Sequence, residues 1–119
     1  MVGTMRTFLA LEALTFTVSA RAHLFVEGYR HREAGIAESV IAFVLLIALM
    51  LTWVDAWARR AAIGAQAFAL LGTLVGLVTI AIGVGPQSVV DIIYHVGIVG
   101  VLIAGITLAY GVPSLARTR

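Results

Sequence analysis

The sequence predicts an all-α membrane protein, built as an antiparallel up-and-down bundle of four transmembrane helices. Four apolar runs carry this prediction, at residues 7–26, 36–54, 61–82 and 89–110. A helix rises about 1.5 Å per residue and needs about 20 residues to cross the hydrocarbon core of a bilayer, so each run can span. Composition agrees, since 61% of the residues are hydrophobic and 12% are charged, against about 25% charged in soluble proteins. Short connections make neighbouring spans antiparallel and predict a single domain over residues 1–119.

The first span ends near Glu27 and Gly28, because glycine lowers the preference for helix. An alternative interpretation makes this run a cleavable signal peptide. Glu12 inside the apolar stretch and Arg21 beside the candidate cleavage site both favour a retained span instead. The polar segment 28–35 then predicts a hairpin at the membrane interface.

The second span carries Glu38 in its first turns, where a negative side chain suits the positive end of the helix dipole. It ends at Trp53 and Trp57, aromatic residues typical of a membrane interface. Arg59 and Arg60 follow, in the connection to the third span.

Small residues mark the third span, and Gly72 and Gly76 form a small-xxx-small element that lets helices approach closely. We expect packing within the chain, with a dimer interface as the alternative. This span ends before Pro86, because proline cannot continue a helix. The fourth span begins near Ser88.

Arginine placement predicts the orientation, because short positive segments are retained in the cytoplasm. All eight basic residues are arginine. The side of both termini carries Arg6, Arg59, Arg60, Arg117 and Arg119, and the other side carries Arg21, Arg30 and Arg32. This distribution predicts cytoplasmic N and C termini, with inverted or dual insertion as the alternative.

Several kinds of chemistry are excluded by composition. The chain has no cysteine, which excludes disulfides, thiolate metal ligands and iron–sulfur clusters. A net charge of +2 forms no basic patch for nucleic acid. The expected partner is the lipid bilayer, and a homodimer or a larger membrane complex is compatible with the sequence.

Ionisable residues near the span ends are the main indication of function. If all four runs span, His23, Glu27, Glu38, Asp91 and His95 meet near one membrane face, the outer one in the predicted orientation. Ionisable groups at membrane depth are costly and usually functional. The sequence therefore predicts a polar pocket that binds a ligand or a proton.

The same residues allow several interpretations. His23, His95, Asp91 and Glu38 are candidate ligands of a nitrogen–oxygen metal site, although the Glu-x-x-His spacing of di-iron bundles is missing. The two histidines are also candidate axial ligands of a haem. A hydrogen-bond network that only holds three helices together is the structural alternative. No metal or cofactor is assigned.

Glu12 lies at a different depth, on a face shared with Ser19 and His23. That face should point into the bundle, because a lipid-facing helix would not carry it. Gln66 of the third span lies at the same depth, and a hydrogen bond to a neighbouring helix is the structural interpretation. The alternative is a proton-binding carboxylate that alternates between the two sides of the membrane.

Residues 8–14, Phe-Leu-Ala-Leu-Glu-Ala-Leu, resemble the first helix of the small multidrug resistance exporters. That resemblance implies that Glu12 is the glutamate that exchanges protons for cationic drugs in a dimeric transporter.

A broader resemblance joins the chain to small four-helix bacterial membrane proteins that are loosely DoxX-like. It rests on Glu-Ala-Gly-Ile-Ala-Glu-Ser-Val at residues 33–40, on the Arg59-Arg60 turn and on the small-residue helix 65–76. It implies a location in the bacterial inner membrane and a link to membrane redox chemistry and quinone-associated complexes.

The sequence thus predicts an integral membrane protein or accessory subunit whose polar pocket binds a small ligand or supports a redox assembly. A Glu12-based transporter is the first alternative, and purely structural pocket residues are the second. An enzyme that uses the pocket for acid–base or metal chemistry is less favoured, because no catalytic motif is recognisable.

Overall fold

The computed structural model describes residues 1–113, and these form four α-helices with no strand. The helices are α1 (Val2–Phe25), α2 (Arg32–Leu51), α3 (Ala58–Ala81) and α4 (Val89–Gly111). All four are long and apolar enough to cross a membrane. The prediction of an all-α protein with four helices of membrane-spanning length is confirmed. Arg117 and Arg119, used above for orientation, lie outside the described residues.

The helices begin earlier than the apolar runs predicted. The first three start at Val2, Arg32 and Ala58, rather than at residues 7, 36 and 61. An apolar run marks the part of a helix that suits hydrocarbon, whereas backbone hydrogen bonding continues into the polar interface. Polar and charged residues at these ends are therefore helical.

The second helix ends earlier than predicted, at Leu51 rather than at residue 54. The guanidinium of Arg6 donates to the carbonyl oxygen of Thr52 at 2.7 Å and to its hydroxyl at 3.1 Å. It also lies 4.3 Å from the ring centre of Trp53. Arg6 thus satisfies a carbonyl that the helix end leaves free, and it joins the start of α1 to the end of α2.

Two turns have glycine where the backbone requires it. Gly28 has φ +87° and Gly83 has φ +81°, values that residues with a Cβ rarely adopt. The Ser88 hydroxyl accepts from the backbone N–H of Asp91 at 3.1 Å, so Ser88 is the N-cap of α4. These turns set where α2 and α4 begin, and hence the height of Glu38 and Asp91.

The helices pack around a core to which all four contribute. α1 contacts the three other helices, and α3 also contacts α2 and α4. Fully buried apolar side chains at the centre include Leu9, Leu45 and Leu102. The small residues of α3 contact neighbours within the chain: a Cβ on Gly72 would lie 2.8 Å from Ile41 Cδ1.

Large apolar side chains cover the outside of the bundle. Val18 is 61% exposed, Phe43 64%, Leu71 63% and Ile93 67%, so every helix presents an apolar outer face. Such a continuous apolar surface is far larger than soluble monomers expose.

Candidate functional site

A hydrogen-bonded cluster of three ionisable side chains joins α1, α2 and α4. His23 lies at its centre, with Nδ1 2.7 Å from Glu38 Oε2 and Nε2 2.8 Å from Asp91 Oδ1. The three residues are 2%, 5% and 7% exposed, respectively. We call them the His23 cluster.

Two serines complete the His23 cluster. Ser19 Oγ donates to Glu38 Oε1 at 2.8 Å, and Ser88 Oγ forms a short hydrogen bond with Asp91 Oδ2. Each of the four carboxylate oxygens therefore has a partner, which is what buried carboxylates require. The serines also fix the rotation of both carboxylates, so that the other oxygen of each faces His23.

With both serine hydroxyls as donors, the contacts indicate how many protons the His23 cluster holds. Both ring nitrogens face a carboxylate oxygen, and each contact needs one proton to be a hydrogen bond. A neutral imidazole with two carboxylates supplies only one proton, so the cluster holds one more. Its net charge is therefore −1, whether the extra proton lies on the ring or on a carboxyl group.

His95 lies beside the His23 cluster but is oriented differently. Its Nδ1 is 2.7 Å from the backbone carbonyl oxygen of Asp91. A carbonyl only accepts, so Nδ1 carries a hydrogen, and in the neutral ring Nε2 offers a lone pair. That nitrogen makes no hydrogen bond within residues 1–113, although the residue is only 6% exposed. It lies against Gly76, where an added Cβ would be 2.8 Å from it.

A cavity of about 430 Å³ lies between α2 and α3, and we call it the α2–α3 cavity. His95 and Glu38 are on its wall, together with apolar side chains such as Phe16 and Ile41. His31 and Glu33 line it from the start of α2. A mostly apolar cavity with a few converging polar groups is the usual form of a small-molecule site.

A groove of about 510 Å³ lies on the other side of the His23 cluster, between α1 and α4. Ser19, His23, Asp91 and Tyr94 line it, with apolar residues such as Val18. The His23 cluster therefore separates two spaces, with Glu38 on the cavity and Asp91 on the groove.

Glu12 is fully buried, away from the His23 cluster. Gln66 Nε2 donates to its two carboxyl oxygens at 3.1 and 3.0 Å. Gln66 Oε1 is buried without a partner among the described residues. Gly105 permits this pair, because a Cβ there would lie 2.6 Å from Glu12 Oε1.

Glu27 is not brought into the His23 cluster. It lies in the exposed turn after α1, since the helix ends at Phe25 and the chain reverses at Gly28. The predicted convergence therefore brings together His23, Glu38, Asp91 and His95, with Glu38 in direct contact with His23.

The geometry limits metal or haem binding by the candidate ligands. In the described part of the chain, no group of three or more His, Cys, Asp or Glu side chains is arranged to hold a metal ion. Both nitrogens of His23 already contact carboxylates, so ligation by His23 would break a buried hydrogen bond. His95 Nε2 is the one candidate nitrogen with a free lone pair.

Sequence reasoning did not single out Tyr94 and assigned Gly76 only to packing. Tyr94 lies 5.2 Å from His95 between ring centres, and its hydroxyl is buried without a hydrogen bond in residues 1–113. A phenol inside an apolar span was the available signal for Tyr94. No sequence signal pairs Gly76 with His95.

Comparison with known proteins leaves the site to be interpreted on its own. No family model, no curated protein and no solved structure matches the chain.

Proposed function

We propose that the chain is a multi-pass membrane protein that binds a small molecule in the α2–α3 cavity, through a hydrogen bond to His95 Nε2. Insertion in a membrane is supported by four helices of spanning length and by apolar outer faces on all of them. In lipid these faces need no protein partner, whereas in water they would drive aggregation.

An antiparallel up-and-down arrangement is supported by contacts at both ends of the first two helices. Arg6 at the start of α1 contacts Thr52 after α2, and His23 near the end of α1 contacts Glu38 near the start of α2. Arg59 and Arg60 lie on the Arg6 side and favour its placement in the cytoplasm. The His23 cluster then faces the outer side of a bacterial inner membrane.

The unpartnered Nε2 of His95 is the observation that carries the binding proposal. A purely structural network accounts for the His23 cluster, in which every carboxylate oxygen and ring nitrogen is paired. It does not use His95 Nε2, which makes no hydrogen bond within residues 1–113 and belongs to a residue on the wall of the α2–α3 cavity. A ligand hydroxyl or N–H group would donate a hydrogen bond to that nitrogen.

The other hypotheses have weaker support. Glu12 is fully buried and lines neither the α2–α3 cavity nor the groove between α1 and α4, so proton exchange there would need the helices to separate. A role in a redox assembly, as the DoxX-like resemblance implies, is compatible with ligand binding at His95 and adds a partner to it.

Nitrogen NMR on histidine tests the binding proposal directly. The chain has three histidines, so ¹⁵N-histidine labelling in lipid nanodiscs gives one resonance pair for each. Titration with benzyl alcohol and with benzylamine should move the His95 Nε2 resonance and leave those of His23, which does not line the cavity, nearly unchanged.

Two glycine variants on α3 provide a matched pair for this titration. Gly76→Ala places a methyl group 2.8 Å from Nε2 and should abolish the shift. Gly64→Ala, where an added Cβ meets no atom within 4 Å, should preserve it. Equal shifts in both variants, or an unmoved His95 resonance with both compounds, would contradict the proposal.

A further inference from the structure

We propose that the ligand of the α2–α3 cavity is a small primary ammonium ion, a cation with three N–H donors and an apolar body. The inference rests on the proposed function and adds the chemical class of the ligand. Three properties of the cavity lead to it: its hydrogen-bonding atoms, the charge of its walls and its apolar lining.

The hydroxyl and imidazole donors on the cavity wall are already used inside the protein. Thr73 and Thr79 each donate to a backbone carbonyl of α3, at 2.8 and 2.7 Å. His95 Nδ1 donates to its own helix at 2.7 Å, and His31 Nε2 donates to the carbonyl of Val84 at 3.0 Å. What these groups offer to a ligand is lone pairs, so the ligand has to supply the hydrogens.

The carboxylate side chains of Glu33 and Glu38 line the cavity. Glu38 belongs to the His23 cluster, whose net charge is −1, and Glu33 lies at the mouth with its side chain 83% exposed. No arginine is among the residues that line the cavity, and the chain contains no lysine. His31 Nδ1 accepts from the backbone N–H of Ala34 at 3.3 Å and lies 3.7 Å from the Glu33 carboxylate. An anion would therefore meet uncompensated repulsion, whereas a cation would be attracted.

The arrangement selects among cations as well. Lone pairs on His95 Nε2, the threonine hydroxyls and Glu38 require N–H donors, which a primary ammonium has and a quaternary ammonium lacks. The remaining lining, which includes Phe16, Ile41 and Val75, suits an apolar body. A volume of about 430 Å³ holds one aromatic ring with a short chain.

Four probes that share one aromatic ring test this assignment in the same histidine titration. Benzylammonium should bind roughly ten times more tightly than benzyl alcohol, since hydrogen bonds to charged groups are stronger than neutral ones. Benzyltrimethylammonium keeps the charge without N–H donors and should bind more weakly than benzylammonium. Benzoate, with the opposite charge, should bind most weakly.

Two acidic residues supply the matched variants. Glu33→Gln should weaken benzylammonium binding several-fold at low salt and leave benzyl alcohol unchanged, because only the cation responds to the charge at the mouth. Glu27→Gln removes an exposed carboxylate that lies outside the cavity and should change neither.

The outcomes separate the two proposals. If benzyl alcohol or benzoate binds as tightly as benzylammonium at His95, the ammonium assignment is overturned and the binding site stands. If benzyltrimethylammonium matches benzylammonium, the requirement for N–H donors is overturned. If none of the four probes moves the His95 resonance, both the ligand class and the proposed binding function fail.

Discussion

Replacing His23 with leucine should destabilise the bundle more than any other single change in the His23 cluster. The substitution removes two buried hydrogen bonds, at 2.7 and 2.8 Å, and the extra proton that they hold. Glu38 and Asp91 then keep only their serine partners, at 5% and 7% exposure. The net charge of the cluster changes from −1 to −2 unless the carboxyl groups take up protons.

The loss of unfolding free energy expected for His23→Leu lies between two limits. Side-chain hydrogen bonds within membrane bundles contribute about 0.6 kcal/mol each, so the two contacts alone give about 1 kcal/mol. Breaking a buried ion pair by removing one partner costs about 3–5 kcal/mol. Uptake of a proton by a carboxyl group reduces the cost from that upper limit. We therefore expect His23→Leu to lower the free energy of unfolding by about 2–4 kcal/mol.

The assay is reversible unfolding in mixed micelles with increasing SDS, followed by circular dichroism. His31→Leu is the control, because it removes a partly exposed histidine that caps α2 through a 3.3 Å contact, worth about 1 kcal/mol. Adding Glu38→Gln and Asp91→Asn to His23→Leu should recover at least half of the loss, since neutral amides do not repel one another. A His23→Leu loss no larger than that of His31→Leu, or no recovery in the triple variant, would refute the charge-based explanation.

Three further predictions concern other buried contacts and use the same unfolding assay. Glu12→Gln keeps a hydrogen-bonding group against the amide of Gln66 and should lower the free energy of unfolding by less than about 1 kcal/mol. Glu12→Ala leaves that amide unpaired and should lower it by about 1–3 kcal/mol. Equal losses in the two variants would contradict the contact. Gly105→Ala should cost about 1–3 kcal/mol by overpacking against Glu12, while Gly97→Ala, which meets no atom within 4 Å, should be neutral or stabilising. Arg6→Ala should cost about 1 kcal/mol and speed amide hydrogen exchange at the end of α2, because it frees a carbonyl at the helix end; unchanged exchange there would argue against the capping role.

Much of the fold could be predicted from the sequence, because the number of helices and the positions of the turns depend on local sequence features. Run length and apolar content give the number and type of helices. Gly28 and Pro86 mark the reversals, since their backbone preferences do not depend on tertiary contacts. Helix ends were less well predicted, because polar interface residues such as Arg32 continue the backbone hydrogen bonding that the apolar pattern does not report.

The candidate site was predictable as a set of residues near one end of the bundle, but its pairing was not. The helices are apolar on nearly every side, so the apolar pattern does not fix the rotation of each helix about its axis. That rotation decides whether His23 faces Glu38 or His95. Glu27 illustrates the same limit, because two residues beyond the end of α1 were enough to take it out of the cluster.

The sequence by itself determined that ionisable residues of three helices would share the bundle interior, since lipid offers them no partner. It also placed Glu12 and Gln66 at the same depth, because helical rise is constant. Only the tertiary structure decided that His23 bridges two carboxylates, that His95 keeps a free nitrogen and that a cavity adjoins it. Those features depend on how closely the helices pack, as where Gly76 meets His95, and the sequence of a single span does not encode that packing.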